Sequence, residues 1–264
     1  MKRVTGLGGV FLKAKDPKFL ARWYEDNLGI PFGTNVYASL KWRDTDNTDE
    51  ICTTAFSMFS LQTEYFAPST KDLMLNFRVS NLFELLPALK SEGVDVMQST
   101  EEHEYGKFGW VMDPEGNKIE LWEPNESGFG EPAQTIPLEG EVNGFGGIFI
   151  KSKNPEAQAK WYSDHFGLGF QYGMHTFKWR QLNDASIQAK TSFTFFKEDT
   201  KYFQPSIKNQ MLNFRVNNLR PLLETLKSAH VEVDPKIEDS EYGTFGWIMD
   251  PEGNRIELWS GNRN

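Results

Sequence analysis

The chain has 264 residues, enough for two ordinary domains, and 14% of them are aromatic. Its formal charge of −9 opposes binding to phosphate backbones, so no nucleic-acid partner is expected. No apolar run approaches the length of a membrane span, and the single cysteine, Cys52, excludes an internal disulfide, so a cytoplasmic protein without membrane contact is expected.

The first segment, MKRVTGLGGVFLKAKDP, has the basic start and short apolar run of a signal peptide. However, NGFGGIFIKSKNP repeats it from Asn143 to Pro155, which marks it as structure. GGVFLKAK reads as a strand that opens on glycines. DPKFLARWYEDNLG reads as a helix with Asp16 as N-cap, Pro17 at its first position and Gly29 as a left-handed C-terminal stop. Phe19, Leu20, Trp23, Tyr24 and Leu28 form its predicted buried stripe. Strands including LKWR and TTAFSMFS follow. LMLNFRV is the next strand and LFELLPALKSEG a second helix, in which Pro87 predicts a late start or a kink. Two further strands close the unit, joined by the tight turn DPEGN. A Gly-, Pro- and Glu-rich stretch, EPNESGFGEPAQTIPLEGEV, then reads as a linker.

Beyond the linker the order repeats. FGWVMDPEGNKIELW, Phe108 to Trp122, recurs as FGWIMDPEGNRIELW, Phe245 to Trp259, an offset of 137 that also relates the two copies of LNFRV and of KWR. Nearer the start the offset is 138, so one residue is missing from the second copy between Phe170 and Lys178. The expected division is residues 1–123, a linker over 124–141, and residues 142–264.

The helix WYEDNLG (repeated as WYSDHFG) after the first strand, with the closing DPEGNKIELW and DPEGNRIELW, resembles the vicinal oxygen chelate superfamily. That superfamily includes glyoxalase I, bleomycin-resistance proteins and extradiol dioxygenases. The resemblance covers both halves. It implies an α+β fold of two tandem glyoxalase-like domains, each built from two βαβββ modules whose strands curl into cups around a small-molecule site. Many relatives are dimers of single domains, so the chain looks like a fused dimer, either a monomeric pseudo-dimer or a homodimer.

Strand alternation places the candidate site residues. In KIELW, Ile119 and Leu121 share the helix-packing face, which puts Glu120 and Trp122 on the concave one. In MLNFRV, Asn76 and Arg78 fall on that concave face. Trp42, Trp110 and Tyr105 are expected nearby. The second copy offers Glu257, Trp259, Asn213, Arg215, Trp179, Trp247 and Tyr242. Glu120 and Glu257 are the candidate catalytic groups, and the rest are candidate ligand contacts. A few polar groups among aromatic rings fit a small-ligand pocket. The competing reading makes Arg78 and Glu120 a buried ion pair and the tryptophans core. TEYFAPS, with Tyr65 and Phe66, recurs as TKYFQPS, with Tyr202 and Phe203, either as a packed turn or as a pocket wall.

The resemblance implies metal ligands at four positions. They align with Gly9 and Gly147, with Met74 and Met211, with Glu120 and Glu257, and near Phe56 and Phe193. Only the glutamate is a suitable ligand, so no metal and no cofactor are expected. His103, His165, His175 and His230 have no counterparts in the other copy and read as surface or loop residues. Cys52 faces Ala189 across the repeat, which excludes a shared thiol nucleophile. Three functions stand open: a metal-free binder of a small organic molecule; a lyase, isomerase or dioxygenase using Glu120 and Glu257 as base or metal ligand; and a structural or interaction protein with filled cups.

Overall fold

The computed structural model describes residues 3–125 and 142–261. Most of the expected linker, residues 126–141, lies outside the described residues. The first half runs β1 (Val4–Ala14), α1 (Pro17–Leu28), β2 (Tyr37–Arg43), β3 (Ile51–Ser60), β4 (Leu73–Val79), α2 (Leu82–Ser91), β5 (Asp95–His103), β6 (Gly106–Met112) and β7 (Lys118–Pro124). The second half repeats it as β8 (Val142–Ser152), α3 (Pro155–Phe166), β9 (Met174–Gln181), β10 (Gln188–Lys197), β11 (Gln210–Val216), α4 (Leu219–Ser228), β12 (Glu232–Ser240), β13 (Gly243–Met249) and β14 (Arg255–Ser260). The fold is α+β. In each half three strands follow each helix, the third after the first helix being the strand that leads into the second helix.

All 14 strands form one open sheet, ordered β12-β13-β14-β11-β8-β10-β9-β2-β3-β1-β4-β7-β6-β5. The order reads the same from both ends, and the halves meet where β2 pairs with β9. The repeated KWR belongs to this seam. Arg43 Nε donates to Leu182 O at 2.7 Å, and Arg180 Nε reaches Thr45 O at 3.4 Å.

The helix signals act as read. Asp16 accepts from the Phe19 amide at 3.0 Å, and Gly29 takes a φ of 67°. Leu20, Ala21, Tyr24 and Leu28 form the buried stripe of α1, whereas Phe19 is 56% exposed. Phe19 lies at the margin of the stripe centred on Leu20, Tyr24 and Leu28, and faces solvent. α2 and α4 begin at equivalent leucines, Leu82 and Leu219, so Pro87 does not delay α2. Among the described residues no helix is long and apolar enough to cross a membrane.

The apolar strand faces and the helices share one core that spans both halves. Phe56 packs edge-on against Phe145, with ring centroids 5.4 Å apart, and Phe77 contacts Tyr162 and Phe193. The two repeated motifs meet here. Tyr162 of α3 donates to Asp113 Oδ2 in the first DPEGN turn at 3.0 Å, and Tyr24 of α1 donates to Asp250 Oδ2 in the second at 3.0 Å. The next acid of each turn also crosses over. Glu115 accepts from Ser152 Oγ at 2.7 Å, and Glu252 accepts from the Lys15 amide at 2.9 Å. Each aspartate also fixes its own turn. Asp113 accepts from the Glu115 and Asn117 amides at 2.9 and 2.8 Å.

Burial pushes Asp113 and Asp250 above the usual carboxylate range, so their donors carry weight. Asp113 Oδ2 has three side-chain donors, from Asn117, Gln158 and Tyr162, whereas Asp250 Oδ2 has two, from Asn254 and Tyr24. Removing the hydroxyl by Tyr24→Phe should therefore cost about 1.5–3 kcal/mol, and Tyr162→Phe less. Chemical denaturation of the two variants checks both the size and the order.

Candidate functional site

β4 and β7 run parallel, and their register sets Asn76 beside Glu120 and Arg78 beside Trp122. The Glu120 carboxylate is buried and accepts three hydrogen bonds: from Asn76 Nδ2 at 2.6 Å, from Trp110 Nε1 at 2.8 Å, and from the Tyr65 hydroxyl. The second half repeats this set. Glu257 accepts from Asn213 Nδ2 at 2.5 Å, from Trp247 Nε1 at 3.0 Å, and from the Tyr202 hydroxyl.

Burial raises Glu120 above its ordinary range; the three donors and the charge of Lys118 oppose that rise. Burial and the adjacent carboxylate push Tyr65 far above a normal phenol, so it remains a donor. Lys118 Nζ is held by Tyr65 O at 2.6 Å and lies over the Tyr65 and Trp110 rings.

The doubled glycines of β1 and β8 are steric requirements of this site. A Cβ on Gly8 would stand 2.0 Å from Asn76 Oδ1, and one on Gly146 would stand 2.1 Å from Asn213 Oδ1. Both of these amide oxygens are buried without a hydrogen-bond donor.

All seven strands of the first half line one cavity of about 970 Å³. Its walls carry Phe11, Phe59, Tyr65, Phe108 and Trp122, with Asn76 and Glu120 between them. Phe59 and Tyr65 stack at 5.3 Å, and Phe108 and Trp122 at 6.0 Å. Glu101, His103 and Tyr105 stand at its β5 side, with His103 stacked on Tyr105 at 5.1 Å.

Four of the first-half residues expected in the site line this cavity: Asn76, Tyr105, Glu120 and Trp122. Trp110 sits behind the carboxylate as its donor. Trp42 and Trp179 depart from expectation. They pack together with Cys52 and Ala189 at the seam, and each indole N–H is spent on a threonine, Thr54 at 2.9 Å and Thr191 at 3.0 Å. Pairing of β2 with β9 draws them there. Arg78 is not hydrogen-bonded to Glu120. It lies over the Trp42 and Trp122 rings and donates to Cys52 Sγ at 3.4 Å. Arg215 donates to Asn143 Oδ1 at 2.9 Å and not to Glu257. The carboxylates thus rest on neutral donors, because the arginines lie one pleat further along their strands.

In the second half Trp259 Nε1 donates to Tyr242 O at 2.9 Å, and Lys190 Nζ lies 5.7 Å from the Trp259 ring centroid and 6.0 Å from that of Tyr242. Sequence reading assigned Tyr65 and Tyr202 no role beyond a turn or wall, although their recurrence within TEYFAPS and TKYFQPS was the available signal. His103 is exposed, as expected of a surface residue, and also borders the cavity.

Residues 144–258 match the Glyoxalase/Bleomycin resistance protein/Dioxygenase superfamily. The second half is thus a domain of that superfamily, and the whole chain has the fold that the resemblance to vicinal oxygen chelate proteins implies. A comparison with curated protein sequences finds no match. Among solved structures, the chain is similar to the Mn(II)-bound glyoxalase from Novosphingobium aromaticivorans. The identity is 15% and the TM-score 0.61, over 98% of this chain and 83% of that one. It is also similar to the 2,3-dioxygenase LapB from Pseudomonas sp. KL28, at 16% identity and a TM-score of 0.59, over 100% of this chain and 94% of that one. Homoprotocatechuate 2,3-dioxygenase from Arthrobacter globiformis follows at 13% identity and a TM-score of 0.60, over 99% and 81%. These similarities establish the fold.

The residues at the metal-ligand positions that the resemblance implies do not fit a divalent metal. A side chain at Gly9 would meet the Phe11 ring at 2.7 Å, and one at Gly147 would meet Phe149 at 2.7 Å. Met74 and Met211 are packed among aromatic rings. Phe56 and Phe193 lie on the helix-packed face of their strands. Both oxygens of Glu120 already serve protein donors. Among the described residues no group of three His, Cys, Asp or Glu is placed to hold a metal ion.

The raised Glu120 makes a signed prediction. The folded protein holds this proton more tightly than the unfolded chain does, whose glutamates titrate near about 4.3. Its contribution to stability is full below the unfolded value and is lost as pH rises through the folded one. Glu120→Gln does not titrate there. Its melting temperature relative to wild type should therefore climb as pH rises above the ordinary glutamate range, and thermal scans over a pH series check it.

Proposed function

We propose that the chain is a metal-free binding protein for small aromatic molecules, held in the cup of the first half. The observation that carries this reading is the Glu120 carboxylate. It occupies the family's metal-ligand position yet is bonded by Tyr65, Asn76 and Trp110 on the floor of an aromatic cavity. Rings on the wall give a flat ligand stacking surface. Glu101 and Glu120 favour a ligand that carries a positive or hydrogen-bond-donating group. In this reading the domains are residues 1–123 and 142–264, the linker is 124–141, and the chain acts as a monomeric pseudo-dimer in the cytoplasm.

The test is titration of the purified protein with 4-methylumbelliferone, a flat aromatic probe, with tryptophan emission as readout. Wild type should bind it equally before and after dialysis against chelator. Phe59→Ala should weaken binding roughly tenfold, about 1.4 kcal/mol, through loss of the Phe59 ring face. Absence of binding, or dependence on a divalent metal, overturns the reading.

A second reading is favoured by the Tyr65–Glu120 hydrogen bond, which makes Glu120 the base of a proton-transfer enzyme of the same superfamily. Turnover lost in Glu120→Gln with ligand affinity retained distinguishes it from simple binding.

A further inference from the structure

The cavity of the first half is not built by that half alone. Asn143, Gln181, Asn183 and Asn217, from the β8 start, the β9 end and the end of β11, also line it. All four side chains are uncharged amides. Two of them are joined in a directed chain. Arg215 donates to Asn143 Oδ1 at 2.9 Å, and Asn143 Nδ2 donates to Asn217 Oδ1 at 2.8 Å. The charge-assisted first bond fixes the sense of the second. Asn217 is left with its Nδ2 group as a donor at the rim, bonded to no protein atom among the described residues. The carbonyl of Leu182, between Gln181 and Asn183, is pinned by Arg43 across the seam.

The duplication supplies an internal control. The residues equivalent to Asn143 and Asn217 are Thr5 and Ser80, and those equivalent to Gln181 and Asn183 are Asp44 and Asp46. The first half therefore cannot offer the second the same amide chain, and its equivalent segment is acidic.

We infer that the first-half cup takes a two-part ligand. Its flat aromatic body lies on the Phe59–Tyr65 wall. An uncharged, oxygen-rich arm, bearing hydroxyl or ether groups, accepts from the Asn217 amide that Arg215 orients through Asn143. This rests on the reading of that cup as a ligand site. It makes Asn217 a specificity-determining residue contributed by the opposite half, and it makes Arg215 a positioning residue for the first cup.

The experiment uses the full chain and two probes, 4-methylumbelliferone and its β-glucoside, measured by isothermal titration calorimetry. Wild type should bind the glucoside about tenfold more tightly than the aglycone, as one or two added hydrogen bonds provide. Asn217 is exposed, so its variants should fold. Asn217→Ala should abolish the advantage and leave aglycone affinity unchanged. Asn217→Asp, which keeps the shape but removes the donor, should do the same. Ser80→Ala, at the equivalent position of the first half, should change neither affinity. If the aglycone binds and the glucoside shows no advantage, or if the advantage survives in Asn217→Asp, the inference falls and the ligand-site reading stands. If neither probe binds, both fall.

Discussion

Tyr24 and Tyr162 each send a phenol hydroxyl across the molecule to a buried aspartate of the opposite DPEGN turn, at 3.0 Å in both directions. Each aspartate also accepts the amides that shape its own turn, and that turn sets the hairpin β6–β7 or β13–β14. The glutamate of the site lies on the last strand of that hairpin. One buried carboxylate therefore links three levels: the local turn, the docking of the halves, and the placement of Glu120 or Glu257. Such a group is costly to bury unless its donors are in place, and two of the five hydrogen bonds to the Asp113 carboxylate and one of the four to that of Asp250 come from the other repeat. The dependence is mutual, which accounts for the recurrence of both motifs in each half.

The site is not built as the metal centre that the resemblance implies. With glycine and methionine at the aligned ligand positions, the space is filled by Phe11 and Met74 in the first half and by Phe149 and Met211 in the second. The remaining carboxylate is satisfied by an amide, an indole and a phenol. Neutral donors stabilise the ion less than a cation would, so burial keeps its proton affinity raised. The same substitution in both halves ties it to the duplicated framework and not to a single local accident.

The halves differ at their rims. Lys190 covers the Tyr242–Trp259 pair of the second half, where the equivalent residue of the first is Thr53. Arg215 supports an amide chain facing the first cup, while Arg78 stays beneath Trp122 and Trp42. The shared framework allows such divergence because strand ends and loops carry few of the contacts that hold the core.

Repetition and alternation made much of the molecule legible from sequence. Two copies at a nearly constant offset implied two copies of one fold. The period of two forced Glu120 and Asn76 onto the face opposite Ile119 and Leu121, and Asp16 and Gly29 marked the limits of α1. Those features depend on neighbours in the chain, and local chemistry is written locally. Alternation states which face a side chain occupies but not what lies across from it. The removal of Trp42 and Trp179 to the seam depended on β2 pairing with β9. The bond from Tyr65 to Glu120 spans 55 residues. The amide rim of the first cup came from the second half altogether. Those arrangements arise where segments distant in sequence are packed together by the shared core, and only the tertiary structure decided them.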